Sequence, residues 1–529
     1  MAQNGLLYDL HDKPKFGQLL IFALQQVLAV IAATIAVPTI IGLPMQIPAS
    51  LLGAGIGTII YLLITKFRSP VYLGSSFAFL SSLFVAMTYG YLGIIIGSVF
   101  AGLVYVVFAI IIHFAGTAWV NKLLPPVIIG PTVAIIGLSL AGNAMGDMVK
   151  ASGSLQGTNI YGSYNLVGLL CGLVAFLTII ICSSQKKYKM MKLIPFVIGI
   201  AAGYVVAAIF TAIGYATDCQ YLMIIDFSPL INNFVDESGK FVGITAILDY
   251  PDFALIEAVK EIINGKAGIE NAQFITAGGV AEVAIAFIPV AFVVFAEHIA
   301  DHKNLGTIIG RDLITDPGLK RTLLGDGIGS IAGTAFGICP NTTYGESVGC
   351  IAITRNASVY TILTAAIMCI VISFISPLMA VLRTIPACVM GGVCLTLYGF
   401  IAVSGLRMFK DLDLNENKNL FVVSAILIAG IGGLTIQIPY AIAANGAVEK
   451  TIQITSIATA LILGIITNLV LSKLEKKQSG SAGEASLVTA AVPEEASAEV
   501  SDATAENAAH LADDSENAAA GSDIQTENK

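Results

Sequence analysis

The sequence predicts an all-α polytopic membrane protein: fourteen transmembrane segments in a 7+7 inverted repeat. Three observations carry this. Across 529 residues the chain is 56% hydrophobic and only 12% charged, with a mean hydropathy of +0.84, more apolar surface than a water-soluble domain buries. Apolar runs of about 20 residues, the length that crosses a bilayer as helix, recur from residue 17 to residue 473. Two of those runs are interrupted by small and hydroxyl residues, and the two lie seven spans apart. Seven is odd, so the second half is expected upside down relative to the first.

In order, the spans are expected at 17–42, 47–66, 71–87, 91–115, 124–142, 162–183, 192–215, 280–302, 319–337, 340–356, 359–381, 385–406, 419–438 and 450–473. The third and tenth are weak as helices, and hydropathy alone counts twelve. The leading MAQNGLLYDLHDKPKFG is polar, so no cleavable signal peptide is expected. If the N-terminus is cytoplasmic, the even-numbered connections collect Arg68, Lys122, the Lys186, Lys187, Lys189 and Lys192 cluster, Arg311, Lys320, Arg321, Arg355, Arg407 and Lys410. The short odd connections hold only Lys150, Arg383 and Lys450. By the positive-inside rule both termini face the cytoplasm of a cell-membrane protein. The long connection 216–279 is then extracellular, and its DFALIEAVKEIING stretch has the pattern of an amphipathic surface helix.

From Gln478 to Lys529 the chain has eleven acids and one base, a net −10, leaving +2 for the rest of a total of −8. That Ala-, Ser-, Glu- and Asp-rich tail is expected to be disordered. The eight cysteines show no CxxC spacing and mostly sit in apolar segments, as small hydrophobes do. Only His298 and His302 lie close together, and no metal constellation is visible.

The interrupted segments are YLGSSFAF, residues 72–79, and PNTTYGES, residues 340–347. Span five, LPPVIIGPTVAIIG, and span twelve, IPACVMGGVCLTLYG, form a second similar pair seven apart. Non-helical backbone at membrane depth persists only where protein or a cavity covers it. Two half-helices beginning there present unsatisfied N–H groups, suited to carbonyl oxygens or anions. A packing kink is the alternative for either one alone.

Acids inside the spans complete the inventory. Glu297 falls about fifteen residues, ~22 Å of helix, into the run beginning near Glu282. An acid there costs about 2.5–3.5 kcal/mol to insert and marks a functional position. Asp301 is one turn further on the same face. The wet end of the helix is an alternative that suits His302 and also Asp301. Glu346 opens the half-helix of span ten, a place the helix dipole also favours. Asp326 lies between two glycines, as a counter-charge, a proton site or an acceptor for backbone N–H groups. Carboxylates with exposed backbone donors match a flat neutral ring whose rim alternates N–H and C=O. Phe77 supplies either an aromatic face for such a ring or packing.

These strings, with AEH at 296–298, DPGLKR at 316–321 and NTTYGES-VG-AITR at 341–355, resemble the nucleobase/ascorbate transporter (nucleobase–cation symporter-2) family, bacterial uracil permeases in particular, from about residue 14 to 475. The resemblance implies short antiparallel strands in broken segments 3 and 10. It implies a cytoplasmic N-terminus 1–16, core-domain parts at 17–115 and 280–381, gate-domain parts at 116–215 and 382–473, the extracellular loop 216–279, and a disordered acidic cytoplasmic tail 474–529. It implies that Glu297 and Glu346 hydrogen-bond the nucleobase, with backbone at Phe77 and Gly345 and the neighbouring Tyr344 completing the site. Glu rather than Gln at 346 resembles the uracil type. Two departures stand out: Ser347 where the family usually has Asn, and Asp301 where familiar uracil permeases place a His.

The expected function is proton-coupled uracil uptake by a secondary transporter, not an enzyme, with Glu297, Asp301 and Asp326 as proton-coupling candidates. Glu297 and Asp301 are so close in a low dielectric that both do not ionise easily. Alternatives are a purine (xanthine or uric acid) symporter, Na⁺ coupling in place of H⁺, and, from a different class, a channel. The expected partners are uracil, membrane lipid and a second copy as a homodimer, with no nucleic acid, cofactor or metal.

Overall fold

The computed structural model describes residues 5–43, 46–150, 164–188, 191–192, 194–236, 239–442 and 448–489. Among them nine helices are long and apolar enough to cross a membrane, at the positions expected for spans one, two, four to eight, twelve and fourteen. They are α1 (Phe16–Ile40), α2 (Ile47–Ile64), α4 (Gly90–Ala115), α6 (Pro126–Val149), α7 (Leu166–Ser183), α8 (Pro195–Thr217), α11 (Ala277–Ile309), α16 (Ala387–Arg407) and the first part of α18 (Ser456–Thr489), with the short α5 (Ala118–Leu123) between α4 and α6. The chain is a multi-pass membrane protein.

Five expected spans fall outside this set, each for a local reason. Span three is a strand β1 (Leu73–Ser75), one 3₁₀ turn and α3 (Leu80–Met87); span ten is β2 (Asn341–Thr343) and α13 (Gly345–Thr354). Span nine, α12 (Leu319–Phe336), carries Lys320, Arg321 and Asp326. Span eleven divides at Phe374 and Ile375 into α14 (Val359–Ser373) and α15 (Ser376–Arg383), where Pro377 starts a new helix. Span thirteen, α17 (Asn417–Ile431), was expected to reach residue 438 and span fourteen to begin at 450. Instead β3 (Ile436–Ile442) and β4 (Val448–Ile454) pair antiparallel between the two helices. Ile436, Ile438, Ile452 and Ile454 alternate with Gln437, Thr451 and Gln453. That is a period of two, which a hydropathy window averages into its flanks.

Two sets of helices account for most packing. In one, α2 lies between α12 and α14, α4 packs on α11 and α12, and α1 on α14; in the other, α16 packs on α6 and α7, α7 on α8, and α17 on α6. Glycines bring the backbones together. A Cβ at Gly53 of α2 would lie 2.2 Å from the Gly333 carbonyl oxygen of α12, and one at Gly57 would lie 2.8 Å from that of Gly329. Glycine four apart on each helix is the small-residue pattern that lets membrane helices touch. In the other set, a Cβ at Gly137 of α6 would lie 2.1 Å from the Tyr398 carbonyl oxygen. At Gly333 a Cβ would also lie 2.1 Å from Asn341 Nδ2, which donates to the Gly53 carbonyl at 3.0 Å. Gly333→Ala is therefore expected to destabilise the protein by about 1–3 kcal/mol through overpacking, and a thermal melt of the detergent-solubilised protein measures it.

The two ends of the bundle are tied separately. At one, residues 7–10 pair with the turn after α13: Leu7 N–H donates to the Arg355 carbonyl at 2.7 Å and Ala357 N–H to that of Tyr8 at 2.9 Å. At the other, the loop 216–279 carries α9 (Ser228–Phe234) and the amphipathic α10 (Ala254–Asn264) expected there. Glu261 of α10 is buried and accepts from Tyr91 and Leu92 N–H in the first turn of α4, at 2.9 and 2.8 Å. The second compact unit, Leu469–Lys529, is described only as helix as far as Thr489, past the residue 474 at which disorder was expected. The rest of that tail lies outside the described residues.

Candidate functional site

The two interrupted segments meet. β1 and β2 pair antiparallel, with Leu73 opposite Thr343, Gly74 opposite Thr342 and Ser75 opposite Asn341. Ser76 N–H donates to the Pro340 carbonyl at 3.0 Å and Tyr344 N–H to that of Tyr72 at 3.1 Å, extending the ladder at both ends. All six strand residues are buried, so the pairing satisfies backbone that could not stay exposed at membrane depth. Glycine is required at 74 because the Tyr344 ring lies where a Cβ would go, 2.3 Å away. A strand precedes a helix in both segments, so both half-helices begin at the crossing and their positive ends converge there.

Beyond β2 the chain stays extended at Tyr344, with φ −102° and ψ 116°, and α13 starts at Gly345. Gly345 is exposed, and a Cβ there would meet nothing within 4 Å. The first turn of α13 therefore faces open space, with its N–H donors and the part-exposed Glu346 on that turn. Glu297, on α11, is also part-exposed, and its carboxyl has no hydrogen-bond partner among the described residues. The Glu297, Asp301, Glu346 and Asp326 carboxyls are near enough to interact electrostatically. Asp301 accepts a 2.5 Å hydrogen bond from the Thr343 hydroxyl, which ties α11 directly to β2.

Two expected site residues make side-chain contacts within the protein. The Tyr344 hydroxyl donates to the Ser75 carbonyl at 3.0 Å, locking the strand pair. The Phe77 ring meets Tyr398 of α16 edge-on at 5.6 Å. Ser347 is fully buried, and its hydroxyl has no partner among the described residues.

His302 is not at a wet helix end. α11 runs on to Ile309, and both His298 and His302 are fully buried with rings 4.1 Å apart. His298 Nδ1 lies 2.6 Å from Asp326 Oδ2, and His302 Nδ1 donates to the His298 carbonyl at 2.7 Å. His302 Nε2 lies 2.7 Å from the Tyr61 hydroxyl, itself 2.8 Å from Ser69 Oγ. Asp326 meets His298, a contact that none of its sequence readings named. A His pair at i, i+4 beside one acid in the neighbouring span was the available signal for this cluster.

Broken helices joined by a strand pair, with carboxyls around an open half-helix N-terminus, are the kind of site that membrane transport proteins build. Comparison with known proteins makes the class specific. A family model described as "Permease family" (Xan_ur_permease) matches residues 17–439, and the chain belongs to the nucleobase/ascorbate transporter family. It is 38% identical to the uracil permease of Bacillus caldolyticus over 471 residues, 88% of this chain and 95% of that protein. It is 32% identical to the uracil permease of Escherichia coli K12 over 466 residues, 87% of this chain and 92% of that protein. Among solved structures, the transmembrane domain of the cyanobacterial bicarbonate transporter BicA superposes with a TM-score of 0.54 at 14% identity, covering 87% of this chain and all of that one, a likeness of fold alone.

Proposed function

We propose that this protein takes up uracil across the cell membrane by proton symport. The observation carrying the reading is the open first turn of α13, which carries Glu346 and backbone donors, with the Glu297 carboxyl of α11 near enough to Glu346 to interact with it. Uracil fits that inventory: two ring N–H groups donate to carboxylates, and two carbonyls accept from backbone N–H groups at Gly345 and beside Phe77. Tyr344 contributes through the strand pair it locks. The uracil permeases among the relatives support the same substrate.

The fourteen segments form a 7+7 inverted repeat in this reading. α1–α4 and α11–α15 are the core, α6–α8 and α16–α18 the gate, and both termini are cytoplasmic. The packing of the two helix sets supports that division. The working form is a homodimer. Asp301 holds the coupled proton, and its placement beside both Glu297 and Glu346 supports this. Protonation removes one negative charge from the cluster, which favours the binding form of the two glutamates. Inward release of uracil and proton follows a rigid movement of core against gate. Asp326, engaged by His298, is a second candidate for the same proton.

Proteoliposomes test this directly. Labelled uracil is expected to concentrate inside only when the external pH is lower than the internal pH. Uptake that ignores pH and follows Na⁺ would replace H⁺ by Na⁺ coupling, and equilibration without concentration would mean a channel. In competition, uracil and fluorouracil are expected to displace label, thymine less well, and xanthine and uric acid not at all. Displacement by the last two would make this a purine symporter.

A further inference from the structure

We propose that α10 lies in the membrane–water interface, with one apolar stripe in lipid, at the end of the bundle where α4 begins. At 100° per residue α10 has three faces. Ala254, Ala258 and Glu261 point into the protein and are buried. Leu255, Ile256, Val259, Ile262 and Ile263 form a stripe about 120° wide, and these five side chains are 46–77% exposed. Glu257, Lys260 and Asn264 form the remaining face, where the Lys260 ammonium pairs with Glu257 at 2.6 Å. A helix in water has no use for five exposed branched apolar residues in one stripe, whereas an interfacial helix buries that face and keeps the other wet.

The height of the helix selects lipid as the occupant. Glu261 holds α10 to Tyr91 and Leu92 N–H in the first turn of a spanning helix, and also accepts from Gly268 N–H at 2.5 Å. α10 packs on both α4 and α12. It is therefore fixed level with the end of a hydrocarbon-crossing helix. The stripe is all Leu, Ile and Val, like the exposed positions Leu103, Val107, Ile110 and Ile111 of α4. The inference does not depend on which side of the membrane this end occupies or on what the protein carries.

The chain has a single tryptophan, Trp119, so Trp119→Phe provides a silent background for introduced reporters. In vesicles of phosphatidylcholine brominated near the headgroup end of the acyl chain, Ile263→Trp and Val259→Trp are expected to lose more than about half their emission relative to unbrominated vesicles. Lys260→Trp, on the polar face, is expected to lose less than about a tenth. Equal quenching at 260 and 263 overturns the proposal. So does an unquenched Ile263→Trp together with Ile263→Cys crosslinking to itself, which would make the stripe a contact between two copies. Val259→Trp, in the middle of the stripe, gives the same readout if the Ile263 variant fails to fold.

Discussion

Glu346→Gln is expected to weaken uracil binding by at least about 100-fold, and Glu297→Gln to do the same. The size follows from what the substitution does at a desolvated site. A hydrogen bond to a charged acceptor is worth roughly 1.5–3 kcal/mol, and a buried group left facing the wrong partner costs about 1–3 kcal/mol more. Their combined loss of about 3 kcal/mol or more is two powers of ten in affinity. Gln keeps one acceptor but presents an NH₂ where a ring N–H points, so part of the site opposes two donors. Glu346 lies on the first turn of α13 with open space before it, and Glu297 has no competing protein partner among the described residues, so neither loss is structural. Equilibrium binding on protein of unchanged thermal stability measures the effect. Glu346→Gln is also expected to let xanthine compete, since Gln at this place resembles the purine type. Full uracil affinity in Glu346→Gln would remove that residue from the site.

Much of this was legible in the sequence because it is local. Small residues and proline at 72–79 and 340–347 break helices wherever they occur, and the spacing of seven spans indicated that the two breaks belong together. That they meet as a strand pair came from a family likeness and not from composition, since three-residue strands have no periodicity to read. The β3–β4 pair was missed because its alternating Ile residues average into long apolar windows. His302 was misplaced because depth counted along one helix says nothing of what packs beside its end. Tyr61 of α2 meets it, and Asp326 of α12 meets His298 one turn back, contacts that are set by tertiary packing. Tyr344 illustrates the same limit. The motif places it in the broken segment, but its hydroxyl serves the strand pair, which required knowing that Gly74 lies beneath its ring.

Asp301→Asn is expected to separate binding from coupling. The groups around Asp301 are Glu297 on its own helix, Thr343 on β2, Glu346 on α13 and Asp326 on α12. Asn is nearly isosteric with a protonated Asp and can still accept from the Thr343 hydroxyl, so α11 stays tied to β2 and the site keeps its shape. It cannot lose a proton. If Asp301 carries the coupled proton, the variant is held in the protonated-like form throughout the cycle. Uracil affinity then stays within a fewfold of the parent and loses its pH dependence. Exchange of internal for external uracil continues, because exchange needs no net proton movement. Accumulation driven by an imposed pH difference falls at least about tenfold, the loss of roughly 1.4 kcal/mol or more of coupling free energy. Loss of exchange and accumulation together would make Asp301 a structural tie. Retained accumulation would transfer the proton to Asp326 and its histidine partner, because that pair is the remaining carboxyl cluster between α11 and α12 that the two glutamates do not occupy.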